Sequence, residues 1–111
     1  MLESKNQESR NQESKIHLDP VHPGEILHEE FMVPLELSRN ALSRALHVPP
    51  NHVSDVVNRK RGISAVMALR LARYFGTSPE LWLGLQLDYE LDVAREKASA
   101  LVQREVLPRA S

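Results

Sequence analysis

The residues best suited to chemistry lie between positions 50 and 61. Pro50, Asn51, His52, Ser54, Asp55 and Asn58 take the outward or flanking positions of a short helix whose Val53, Val56 and Val57 point inward. Such an array suits base edges: Asn pairs with adenine N6/N7, Asp accepts from cytosine N4, and Ser fits several edges. Arg59, Lys60 and Arg61 follow at once, and Ser38, Arg39 and Asn40 open the preceding helix. These two groups suit backbone phosphates, through cationic side chains and the free N–H groups of a helix start. No arginine lies within the short helix, so guanine readout must come from its ends or be weak.

Other chemistries find no support. His17, His22, His28, His47 and His52 contain no i, i+4 pair with a supporting carboxylate, and "HEE" at His28–Glu30 lacks the second histidine of a zincin. There is no cysteine to form a thiolate site or a disulfide. The serines fall at caps and turns, with no strand-to-helix elbow to activate one. The expectation is therefore no catalytic residue, no metal, no cofactor and no enzymatic activity. Trp82 and Tyr89 invite a ligand-box reading, but their helical spacing near a proline-capped start favours core or interface packing.

Charge is distributed to match the first reading. The net charge is -1, yet residues 1–38 carry three basic and eight acidic groups, whereas residues 39–73 carry seven basic groups against Asp55 alone. A cationic centre between acidic flanks points to an anionic partner, phosphate. With 111 residues, 41% hydrophobic and 26% charged, the chain reads as one ordinary globular domain. No apolar run approaches the roughly 20 residues that span a bilayer, and no apolar leader is visible. The expected setting is cytoplasmic, with no membrane contact.

The elements that must position these residues are all helical. Residues 1–18 hold the tandem "KNQES"/"RNQES" and too little apolar surface to fold, so a flexible arm is expected there. Pro23 and Glu25 start a first helix that Pro34 closes. Ser38 caps a second running to Leu46, and Pro50 opens a third reaching about Asn58. A fourth extends from cap Ser64 to a terminating Gly76. "LWLGLQLDYELDV" alternates like a strand, but the cap Ser78, Pro79 and Glu80 favour a helix over residues 79–97. That helix is apolar on more than one face. Leu81, Trp82, Leu83, Leu85, Leu87, Tyr89 and Leu91 thus form a candidate homodimer surface. Residues 98–111 read as a tail in which a short terminal helix is one option.

Residues 38–58 fit a helix-turn-helix, in which the second helix is offered to the major groove. Leu42, Ala45, Leu46, Val48, Val53 and Val56 share one small core, and Ser43 is small where the two helices meet. The turn needs left-handed geometry, which histidine tolerates better than most residues, so His47 can replace the usual glycine. A bare helical hairpin with a solvated, charged turn is the alternative reading of these residues, and a protein-interaction module without DNA binding is a separate rival.

A resemblance narrows the choice. "HPGEIL" at His22–Leu27, "LS…ALSRAL" at Leu37–Leu46, "VNRKRGIS" at Val57–Ser64, "ALRLARYFGTSPELWL" at Ala68–Leu83 and "LQLDYEL" at Leu85–Leu91 occur in order. Over about residues 20–97 the chain resembles the HigA/VapI family of antitoxins, within the Cro/C1-type (XRE) helix-turn-helix class. The resemblance implies a five-helix, lambda-repressor-like domain over residues 19–97. It also implies a dimer that binds an inverted-repeat operator in double-stranded DNA, represses its own promoter and neutralises a RelE-like ribonuclease toxin, HigB. A stand-alone repressor without a toxin is the runner-up. His47 for glycine and Ser43 for the more common alanine depart from the family pattern.

Overall fold

The computed structural model describes residues 19–110, and the arm expected over residues 1–18 lies outside them. Five helices and no strand make up the described residues. The first, α1 (residues 23–32), starts at Pro23, whose missing N–H is harmless there, and is capped by His22, whose Nδ1 accepts from the Gly24 N–H at 2.9 Å. It is α-helical over Pro23–Ile26 and widens to a π-helical turn over Leu27–Met32. Leu27 and Met32 are both buried. Five residues apart, they would diverge by roughly 140° on an α-helix, and the wider turn brings both to the core. The helix ends two residues before Pro34, in a turn that carries Glu36 at φ 55°.

Helix α2 (Arg39–Leu46) is capped by Ser38, whose hydroxyl accepts from the Ala41 N–H at 3.0 Å. It stops at His47, which adopts φ 59° and ψ 45°, the left-handed geometry expected of it. Helix α3 (His52–Val57) is shorter than the sequence suggested. Pro49 and Pro50 form the tight turn before it, closed by the His52 N–H donating to the Pro49 carbonyl at 2.9 Å. Pro50 is therefore in the turn, outside the helix it was expected to open. Helix α4 (Ala65–Phe75) runs from cap Ser64 to Gly76 at φ 74°.

Helix α5 (Pro79–Glu105) runs past the bound expected of it. It is one unbroken 27-residue helix, so most of the proposed tail belongs to it. Ala, Leu, Glu, Lys, Gln and Arg dominate residues 94–105, with no Gly or Pro before Pro108 to stop the chain. The strand-like alternation dissolves into two helix faces, one turned to the core and one turned away.

That core joins all five helices through Leu27, Met32, Leu42, Leu46, Val53, Val56, Ile63, Met67, Ala68, Leu71, Ala72 and Trp82. Trp82 is its largest member, fully buried, with its ring 4.9 Å from Phe31 and 6.2 Å from Phe75. Its indole N–H is satisfied by the Thr77 hydroxyl at 2.8 Å. No helix among the described residues is long and apolar enough to cross a membrane.

Candidate nucleic-acid interface

Helices α2 and α3 meet through a residue chosen for size. Ser43 is fully buried; its hydroxyl donates to the Pro50 carbonyl at 3.3 Å and accepts from the Val53 N–H at 3.4 Å. Those bonds tie the proline turn and the start of α3 to the middle of α2. From behind, α1 presses Gly24 against the Val56 carbonyl, leaving no space for a side chain. Helix α3 is thus fixed on two sides, and its remaining face is open.

That open face carries the expected reading residues. Pro50, Asn51 and Asn58 are exposed, and His52, Ser54 and Asp55 are partly so. Val57, expected to point inward, is only partly buried. Two arginines reach the face from outside the helix. Arg39, in the first turn of α2, donates to the Ser54 hydroxyl at 3.0 Å and to Asn58 Oδ1 at 3.2 Å. Asn58 Nδ2 closes the triangle on Ser54 Oγ at 3.3 Å. At the other side, an Arg61 N–H lies 2.8 Å from His52 Nδ1. Since guanidinium only donates, the facing ring nitrogen must be unprotonated. Partial burial, then Arg61, lower the His52 pKa, with Arg70 adding to them and Asp55 opposing.

Arg39 and Arg61, expected at phosphates, are therefore placed against the polar side chains of α3. The sequence reading missed this because the Arg39 contact spans 15 residues and depends on how α2 crosses α3. The other phosphate candidates keep more freedom. Ser38 and Asn40 are exposed at the α2 start, although the Ser38 hydroxyl is occupied as the cap. Lys60 is exposed, and its N–H and that of Arg61 both donate to the Asp55 carbonyl, at 2.7 and 3.3 Å. Arg59 takes φ 64° and stands 3.5 Å from Glu25, a half-exposed pair of little energetic consequence.

The candidate pairing surface on α5 needs one correction and two adjustments. Trp82 belongs to the monomer core and offers nothing outward. Leu85 packs against that core, and Tyr89 stands edge-on to His22, with ring centres 4.8 Å apart. Leu81, Leu83, Leu87 and Leu91 are exposed at 38–55%. Leu83, Leu87 and Leu91 follow i, i+4 spacing. Their stripe continues into a shallow groove lined by Leu91, Ala94, Ala98 and Val102. Among the described residues no three His, Cys, Asp or Glu side chains converge on one point.

Comparison with known proteins agrees with this geometry. The helix-turn-helix family profile matches residues 29–82. The chain is 44% identical over 87 residues to virulence-associated protein I of Dichelobacter nodosus, covering 78% of this chain and 81% of that one. The structure of Pseudomonas aeruginosa antitoxin HigA with the higBA promoter superposes with a TM-score of 0.80 at 45% identity, over 82% of this chain and 99% of the other. An addiction module antidote protein of a HigA family from Coxiella burnetii gives 0.79 at 43% identity, over 83% and 100%.

Proposed function

The chain belongs to the HigA family of helix-turn-helix proteins, and from that premise we propose that it is an operator-binding antitoxin that represses its own promoter. The observation that carries the reading is the open polar face of α3, bracketed by Arg39 and Arg61 and followed by exposed Lys60. A major groove about 12 Å wide admits such a helix. In this reading Arg39 would serve guanine, Asn51 and Asn58 adenine, and Asp55 cytosine N4. The α2 N-terminus with Arg59 and Lys60 grips the flanking phosphates.

Two copies joined through Leu81, Leu83, Leu87 and Leu91 would set two α3 helices about 34 Å apart, one duplex turn, and so select an inverted repeat. The toxin partner is a ribonuclease of the HigB kind, and the protein works in the cytoplasm as a binder without catalysis.

The deciding experiment measures fluorescence anisotropy on the duplex upstream of the protein's own gene and on a scrambled duplex, at one stated salt concentration. A preference of about 1,000-fold or more is expected. Equal affinities would remove operator recognition. Co-purification with the product of the adjacent reading frame tests the antitoxin role separately, and its absence would leave a repressor alone.

A further inference from the structure

Two exposed apolar patches lie away from α5, and their charges are opposite. On α4, Val66, Leu69, Arg70, Arg73 and Tyr74 recur at helical spacing along one stripe. Together with Ala45, Leu46 and His47 they line a groove of about 610 Å³. Val66 and Leu69 are more than half exposed, so the floor is apolar and open. The rim is cationic. Arg73 is exposed, and Arg70 holds the Leu46 carbonyl at 2.9 Å with other donors to spare. The groove sits at the far end of α2 from Ser38, roughly 12 Å along the helix.

The second patch covers the outer side of α1 and the turn after it. Val33 and Leu35 are exposed at 57% and 58%, and Glu29, Glu30 and Glu36 are exposed around them. Residues 19–38 contain five carboxylates and no lysine or arginine. Single exposed apolar residues need no explanation, whereas grouped ones rimmed by charge mark contact surfaces. Neither patch can pair with itself, because like charges would meet.

We propose that the α2–α4 groove receives the acidic α1 face of a second copy of this chain. The contact is head-to-tail and separate from any self-complementary pairing through α5. Such contacts do not close upon two chains. They link pairs into rows, so that neighbouring operators fill cooperatively, a property beyond recognition of one operator.

Sedimentation velocity of the full chain at low ionic strength, over a concentration series, tests this without DNA. The weight-average mass should climb beyond that of the dilute species. Arg73→Glu alone, and Glu29→Lys with Glu30→Lys, should each move the climb to about tenfold higher concentration. All three side chains are exposed, so unchanged thermal melting serves as the folding control. A chain bearing all three reversals should climb again, as should an equimolar mixture of the two single-face variants. A flat wild-type series overturns the proposal, and so does a fully reversed chain as dispersed as the others. Growth that ignores both face variants and vanishes with Leu87→Glu assigns the assembly to α5 and equally overturns it.

Discussion

Gly24 on α1 lies directly against the Val56 carbonyl of α3, with the Val57 backbone beside it and no room for a methyl group. Helix α3 is therefore seated on backbone, which cannot rotate away as a side chain would. Gly24→Ala must push α3 outward or unseat α1. Overpacking of this kind costs about 1–3 kcal/mol. A thermal melt should fall by several degrees, and operator affinity should drop further than stability alone explains. An unchanged melt would mean that the two helices have slack.

Arg39 stitches α2 to α3 through Ser54 and Asn58. Arg39→Lys keeps the charge but loses the planar fork. Operator affinity should weaken about tenfold while binding to unrelated duplex stays level, as expected of a base-edge contact worth about 1–3 kcal/mol. Equal losses on both duplexes would return Arg39 to the phosphates.

Lys60→Ala should behave in the opposite way. With Lys60 at a phosphate as proposed, its removal should lower affinity for every duplex alike and reduce the slope of log K against log salt by about 0.9. A titration at four salt concentrations on operator and random DNA measures both quantities. A sequence-dependent loss would place Lys60 in the groove.

His47 holds a left-handed backbone at the α2 end, where glycine carries no Cβ penalty. His47→Gly should stabilise the domain by about 1 kcal/mol, the lower end of the left-handed cost for an L-residue. Chemical denaturation should show a higher midpoint with an unchanged slope. A lower midpoint would reveal a contact of the imidazole that outweighs the relief.

His22 makes stability depend on pH. Burial, then Arg59, lower its pKa, and its Nδ1 must stay unprotonated to cap α1. The folded form thus binds the proton less readily than the unfolded chain, whose histidine titrates near 6.5. The stabilisation is complete above that value and is lost as pH falls through it toward the lower folded pKa. His52 is shifted the same way. Melting temperature should fall between pH 7.5 and 5.5, and His22→Asn, which keeps a capping acceptor, should flatten part of that fall. Identical profiles for the two proteins would clear His22 of the effect.

Features written in a few adjacent residues were legible before the structure. Ser38, Ser64 and Ser78 cap the helices they were expected to cap, and His47 turns left-handed, because each depends on the backbone within one turn. What escaped depends on distant partners. The π-helical turn exists because Leu27 and Met32 must both reach one core. The apolar alternation in α5 offers Trp82 to either face, and only Phe31 and Phe75 decide between them. The α3 face was visible in outline, yet its arginines arrive from α2 and from the loop beyond α3, a matter of crossing angle rather than spacing.

Helix α5 is continuous from the indole sealed in the core to its exposed end at Glu105. At about 1.5 Å per residue, its 27 residues make a rod about 40 Å long. Clamped from Trp82 through Tyr89, it acts as a lever: the part beyond Tyr89 is about 24 Å long, so roughly 10° of slip at the clamp sweeps the tip through about 4 Å. Alignment at the tip then depends on how firmly Trp82, Leu85 and Tyr89 are wedged together, and a slight loosening there would blur it well before the domain melts.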